Sequence, residues 1–408
     1  MTDDPPNALN PFRFCTGNDD ESFLRAPNET TSRRRGPRGD VMLMVGTTKG
    51  AFLLWSTADR KRWRVDGPHF PGESVYAMAF DSRAKRQRLF ASTNTWQHGS
   101  VVRSSDDFAR NWTAADRKNV VFPEDSGLKL KQIWQIAPAT SSQPDVLYLG
   151  VEPACLFESR DAGETWSAVD GLVRHAHRPS WVPGGGGLCL HTIVLDPAEP
   201  RRILVGISTG GVYRSEDAGV TWNPSNNGLS AEFMPDNKFP EFGQCVHKFV
   251  AHPAQRGRLY LQNHWGVYRS DNWGQQWVDI GEALPSDFGF ALAVHPRDAA
   301  TAYVIPMQSD EFHCAAEGKL RVFRTSNGGT SWEPRTRGLP QRQAYETVVR
   351  DAFSTDSLGN YGLYFGTRNG KLFASLDEGE SWRSLADSFP PITCVRAAVI
   401  GDAAAATE

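Results

Sequence analysis

Ser159-Arg160-Asp161-Ala162-Gly163-Glu164-Thr165-Trp166 returns as Ser215-Glu216-Asp217-Ala218-Gly219-Val220-Thr221-Trp222 and as Ser375-Leu376-Asp377-Glu378-Gly379-Glu380-Ser381-Trp382. Looser copies keep the Trp at the same offset: Ser270, Asn272, Gly274, Gln276, Trp277; Thr325, Asn327, Gly329, Ser331, Trp332; and Ser105, Asp107, Ala109, Asn111, Trp112. A worn seventh copy runs from Ser56 to Trp63. The seven tryptophans are separated by 49, 54, 56, 55, 55 and 50 residues. A period of that size marks one supersecondary unit per repeat.

Each residue type in the motif has a turn chemistry. Asp or Asn accepts backbone N–H bonds, Gly supplies φ > 0, Ser or Thr adds a hydroxyl bond, and Trp buries a large apolar face. The motif therefore reads as a hairpin lock between the third and fourth strands of a unit. Asp107, Asp161, Asp217, Asn272, Asn327 and Asp377 are structural on this reading, because chemistry repeated on every unit does not converge on one substrate.

Inner apolar runs precede the motifs at 75–80, 133–137, 191–196, 248–252, 290–295 and 347–353, and a seventh comes last at 392–400. The first repeat begins at its second strand, near 42–46, and lacks an inner one. A C-terminal strand that completes the first sheet closes a ring, which leaves only short, protected sheet edges. The predicted fold is all-β: a seven-bladed β-propeller of four-stranded blades over 41–400. Residues 1–40, with Asp19-Asp20-Glu21 and Arg33-Arg34-Arg35 and little apolar alternation, are expected to be a disordered tail, and 401–408 a flexible one.

Composition sets the class. Of 408 residues, 37 are Gly and 26 Pro, with 39% apolar and 22% charged residues, which excludes collagen-like, disordered and membrane-spanning chains. A net charge of −3 gives no field that would draw the protein to nucleic acid or an anionic membrane. The six cysteines show no CxxC spacing and read as reduced thiols. Met1-Thr2-Asp3-Asp4 is a poor start for a secretory signal. The arginine run at 33–35 precedes only a short apolar segment, so the predicted compartment is the cytoplasm and the predicted state a monomer.

At these repeats the chain resembles the BNR/Asp-box proteins, with the Asp-box itself at 159–166, 215–222 and 375–382 and the resemblance extending over roughly 360 residues. Relatives with such boxes include sialidases and xyloglucan-degrading hydrolases. The closer resemblance is to an intracellular bacterial branch often described as sialidase-like or glycosyl hydrolase. A sialidase would bring three arginines around a carboxylate, a Tyr/Glu pair and an acidic Asp, the first Arg in an Arg-Ile-Pro segment. This chain has no Arg-Ile-Pro. Its Ile305-Pro306 lies in the sixth repeat, and Tyr345-Glu346 are neighbours that a strand would send to opposite faces. A true sialidase is not expected.

In a propeller the connections between blades and the turns between second and third strands gather on one face, where function is carried by loops. Segments 167–190, 223–246 and 307–318 are long enough to matter there. They and the neighbouring turns supply the candidate catalytic residues Glu152, Glu241, His191, His247 and His264. Candidate ligand-binding residues are Trp134, His98, Arg178, Trp181, Gln262, Tyr345, Arg350 and Arg368. Such a mixture suits a small polar ligand, a glycan or organic anion, or a protein partner. The alternative is a glycoside hydrolase or polysaccharide lyase using the Glu and His groups as acid and base. Cys189-x-His191 recurs 56 residues later as Cys245-x-His247, and these four could ligate zinc. Core packing repeated by descent explains them as well, and no cofactor is predicted. The run 184–187 lacks the Lys-Ser/Thr of a phosphate loop and instead lets backbone approach a ligand or a neighbouring loop.

Overall fold

The structure is a computed structural model that describes residues 24–25, 39–114, 120–234 and 236–401. Seven sheets form a ring of blades; in the second to seventh the antiparallel strands run outward in chain order, and the first takes its inner strand from the end of the chain. The fourth blade is typical: Leu190–Leu195, Ile203–Ile207, Gly211–Ser215 and Asn223–Pro224. The second blade shows Ser74–Asp81, Arg88–Thr95 and Gly99–Ser105 among the described residues. Second strands such as Leu147–Glu152 and Ala302–Pro306 are buried along their whole length. Neighbouring blades cover both of their faces, so they read as continuous apolar runs rather than alternating ones.

Ring closure follows the expected route. Ile392–Ile400 lies antiparallel to Asp40–Thr47, from Asp40 opposite Ile400 to Thr47 opposite Ile392, and supplies the inner strand of the first blade. Of the expected N-terminal tail 1–40, Leu24–Arg25 is described as a short strand parallel to Trp63–Arg64, and Gly39 and Asp40 are described too, Asp40 already belonging to the strand Asp40–Thr47 of the first blade. The rest of 1–38, and 402–408, lie outside the described residues. One boundary needs correction. The inner strand of the seventh blade is Phe353–Thr355, not 347–353, because the chain turns at Arg350 and reaches the first blade through a parallel bridge from Asp351 to Cys394.

The motif folds as a lock. Ser159 Oγ donates to Asp161 Oδ1 at 2.8 Å and accepts from Gly163 N at 2.9 Å. Asp161 Oδ1 accepts from Thr165 N at 2.9 Å, and its Oδ2 takes the Thr165 hydroxyl at 2.5 Å. Asp217 and Asp377 repeat the set with Thr221 and Ser381. Asn272 and Asn327 keep the hydroxyl bond and the backbone bond four residues on, and Asp107 uses Asn111 in place of the hydroxyl residue. Thr221 bonds hold the Asp217 carboxyl down at about 2.

In the worn first copy, Arg60 has φ 53° and its side chain enters the core. Arg60 Nη1 meets Asp356 Oδ2 at 2.8 Å, with the two side chains 4% and 0% exposed. Tyr364 Oη donates to the same oxygen at 2.7 Å. This buried pair joins the first and seventh blades at the seam. Removing one partner strands the other charge, so Asp356→Ala is expected to cost about 3–5 kcal/mol in denaturant unfolding. A loss below about 1 kcal/mol would remove the pair from the account of ring closure.

Candidate functional site

The long connections meet on one face. Thr209 Oγ1 bonds Val182 O at 2.5 Å, Gly243 N bonds Gly210 O at 3.0 Å, His264 N bonds Cys245 O at 2.9 Å, and Thr347 Oγ1 bonds His313 O. Each of these contacts ties an inter-blade connection to a turn between second and third strands.

Inside that face the inner strands share an irregularity. In the first to sixth blades the ladder with the second strand skips one residue, and the skipped residues are Thr393, Tyr76, Trp134, His191, His247 and Phe290. A β-bulge re-aims the side chain that falls out of register. Tyr76, Trp134, His247, Phe290 and Arg350 form a connected cluster. Tyr76 and Trp134 meet edge to face at 5.2 Å, and His247 lies 4.3 Å from Phe290 between ring centroids. The Arg350 guanidinium carbon sits 5.2 Å from the Trp134 ring and 5.3 Å from the Phe290 ring. Its Nε donates to His247 O at 3.1 Å.

Charges are arranged around this cluster. Asp351 accepts from Lys248 Nζ at 2.6 Å and from Arg396 Nη2 at 2.7 Å. Burial alone would raise the Asp351 carboxyl, and the two facing cations hold it below the ordinary range. Glu152 accepts from Lys131 Nζ at 2.6 Å and from Trp134 Nε1 at 3.2 Å. Gly187 closes over it: with φ 88°, a Cβ there would stand 2.5 Å from Glu152 Oε1. The glycine run thus serves a close approach of one loop to a carboxylate.

His191 is fully buried, with Nε2 directed at Val246 O (2.9 Å) and Nδ1 at Thr192 Oγ1 (2.9 Å). A carbonyl only accepts, so Nε2 carries the proton. Burial, and then Arg350 and Lys248, push this imidazole well below its usual pKa. His247 Nδ1 faces Gly289 O at 2.6 Å, and its Nε2 lies 3.6 Å from Cys245 Sγ. His264 packs 5.4 Å from His247 between centroids, and its Nε2 is 3.4 Å from Asp310 Oδ2. Cys189 is buried beside Ser208 Oγ at 3.3 Å. The two Cys-x-His pairs therefore do not share one centre. Among the described residues, the donors that converge are Cys245, His247 and His264.

Other expected site residues lie in the loops around the cluster or apart from it. Trp181 is buried and donates its indole N–H to Tyr213 Oη at 3.0 Å. Arg178 donates to Ala154 O at 2.7 Å, and Gln262 Nε2 serves Asn263 O and Asp287 O. These three hold loops in place. Glu241 is exposed on the 223–246 connection, and Tyr345 is 66% exposed. None of the described contacts joins Glu241, His98, Tyr345 or Arg368 to the cluster. Tyr76 and Phe290 were missed by sequence reasoning, although both stand at the position of Trp134 and His191 when the inner runs are superposed. A depression of about 350 Å³ lined by Arg214, Glu216, Asn223 and Gln275 lies at the outer edge of the fourth blade and holds no comparable cluster.

No protein-family model matches the chain. It is 27% identical over 294 residues to a xyloglucanase of Hypocrea jecorina, a match covering 64% of this chain and 32% of that protein. A xyloglucanase of Acetivibrio thermocellus is 24% identical over 274 residues, covering 59% and 29%. The chain thus spans about a third of the length of the curated relatives it matches. Among solved structures it is similar to the GH74 xyloglucanase from Xanthomonas campestris, with TM-score 0.54 and 19% identity over 89% of this chain and 52% of that one. A functionally unknown protein from Desulfotomaculum acetoxidans gives TM-score 0.51 at 11% identity, covering 86% and 98%. At such identities the structural likeness establishes the fold, a seven-bladed β-propeller with xyloglucanase neighbours.

The state of His191 has a measurable consequence. An unfolded His takes up a proton below about pH 6.5, whereas the folded pKa of His191 is depressed. The stability it contributes is complete above about pH 6.5 and drains as pH falls toward the folded value, by up to about 1.4 kcal/mol per pH unit. His191→Gln keeps a donor for Val246 O and cannot titrate. Its unfolding free energy is expected to fall less steeply than wild type between about pH 6.5 and 5. Parallel slopes would show that His191 protonates freely in the fold.

Proposed function

We propose that this chain is an Asp-box repeat propeller that binds a carboxylate-bearing polar ligand, an acidic glycan unit or organic anion, at the loop-rich mouth of its channel. Arg350 is the anchor. The observation that carries the reading is its charge environment. Lys131, Lys248 and Arg396 each have a carboxylate partner, whereas no ion pair to Arg350 occurs among the described residues. A guanidinium held between two aromatic rings is partly desolvated, and its planar fork suits a carboxylate bidentately. The buried free thiols Cys155, Cys189 and Cys394 support a reducing, cytoplasmic setting.

Binding is tested by calorimetry with glucuronate and galacturonate oligosaccharides and with di- and tricarboxylates. Arg350→Ala is expected to weaken binding by about 100-fold, in line with a charge-assisted pair, and Arg350→Lys to recover part of it. Unchanged affinity in Arg350→Ala ends the proposal.

A second reading, a glycoside hydrolase or lyase, is favoured by the identity with xyloglucanases. Glu152 and Glu241 would then be its carboxylates, assisted by His264. Reducing-end release from xyloglucan and from uronate-containing glycans, compared between wild type, Glu152→Gln and Glu241→Gln, separates the two readings. We expect no turnover. Release that disappears in either variant would put the hydrolase in place of the binding protein.

A further inference from the structure

We propose that Cys245, His247 and His264 hold a divalent transition-metal ion, zinc by the softness of the donor set, with Asp310 closing the site at the channel mouth. The inference does not rest on the anion-binding reading. The donor atoms of the first three residues lie within 4.8 Å of one another. Cys245 Sγ and His247 Nε2 are 3.6 Å apart. Zinc bonds of about 2.3 Å to sulfur and 2.0–2.1 Å to nitrogen require a tetrahedral edge of about 3.5 Å, so this pair already stands at the separation a metal demands.

The orientation of His247 agrees. Its Nδ1 faces the Gly289 carbonyl at 2.6 Å, which can only accept, so the proton resides on Nδ1 and Nε2 presents its lone pair toward Cys245. A ligating imidazole fixed through its other nitrogen by a backbone carbonyl is the usual outer-sphere arrangement at a metal.

The backbone preorganises the set. His264 N bonds Cys245 O at 2.9 Å, which fixes the second-to-third turn of the fifth blade against the start of its inner strand. Asp310 arrives from the 307–318 segment of the sixth blade with its Oδ2 3.4 Å from His264 Nε2. Its side chain is 56% exposed, which gives an ion a path from solvent. On binding, the Cys245 thiol proton leaves to solvent, and one thiolate with one carboxylate offsets the charge of the dication. The fourth-blade pair Cys189 and His191 stays outside, because its groups are committed to Ser208, Thr192 and Val246.

The same 3.6 Å contact would arise from a simple thiol-to-imidazole hydrogen bond, and cobalt distinguishes the two. The full-length chain, freed of metal and kept reduced and anaerobic, is titrated with Co²⁺. We expect one equivalent to bind, with intense visible bands of tetrahedral cobalt and a thiolate-to-cobalt charge-transfer band in the near ultraviolet, all displaced by Zn²⁺. Cys245→Ser should abolish the charge-transfer band in a chain whose circular dichroism is unchanged, while Cys189→Ser keeps it. Asp310→Asn, in an exposed loop, should retain the band and lower zinc affinity about 10- to 100-fold. Absence of stoichiometric binding by the folded wild-type chain, or a charge-transfer band that survives Cys245→Ser, overturns the site. Unchanged zinc affinity in Asp310→Asn overturns the part assigned to Asp310.

Discussion

At five of the hairpin turns a motif glycine, Gly163, Gly219, Gly274, Gly329 or Gly379, faces the blade before it, and the spacing of the ring depends on that contact. A Cβ on Gly163 would lie 2.7 Å from Phe90 Cε1 of the second blade, and one on Gly329 would lie 2.5 Å from Ile280 of the fifth. The tryptophan three residues further on is buried beside the same junction. Trp277 Nε1 donates to Ser225 O of the fourth blade, and Trp332 Nε1 to Ile280 O of the fifth. The motif is therefore more than a turn within one sheet: its hydroxyl and carboxylate shape the turn, its glycine permits close approach, and its indole fills the wedge. Without that approach the inner strands would not converge on a common axis, and no channel would exist to carry a site.

The same economy produces the site itself. Six inner strands repeat one bulge, and the residues displaced by it are Thr393, Tyr76, Trp134, His191, His247 and Phe290. A backbone irregularity inherited by successive repeats presents six side chains at equivalent points around an axis. Conserving the bulge conserves the aim, and changing only the side chain changes the chemistry. This separation explains why the locks are nearly identical from blade to blade while the cluster within the ring is not.

The fold was readable because it rests on local signals repeated many times. Tryptophan spacing, turn residues and a last strand with no repeat after it are all present in the chain order. The site was readable only in part, since alternation along a strand assumes an unbroken ladder. His191 and His247 sit at bulges, so a rule that places residues two apart on one face could not tell that Cys245 would face His247 while Cys189 would turn to Ser208. The β-branched run Thr347-Val348-Val349 resembled an inner strand, but Asp351 is drawn to Lys248 and Arg396, residues 103 and 45 positions away respectively. Trp181 and Gln262 looked available because they stand outside the motif. Burial among loop carbonyls and Tyr213 is a tertiary fact that their sequence neighbours do not announce.

Asp351 is shared by two cations, Lys248 and Arg396, and Glu152 is already engaged by Lys131 and by the Trp134 indole. Trp134 thus uses its edge on Glu152 and its face on Arg350, which places an aromatic ring between that carboxylate and the guanidinium. Two negative groups therefore serve three cations, and the fourth, Arg350, has a backbone carbonyl, the Cys189 sulfur at 3.9 Å and two aromatic faces as its partners among the described residues, with no carboxylate. Cation–π contacts contribute about 0.5–2 kcal/mol each, and the part-buried guanidinium keeps N–H groups that no carboxylate engages among the described residues. In the proposed reading those N–H groups are what a ligand carboxylate engages, where loops from several blades can reach the rest of the ligand.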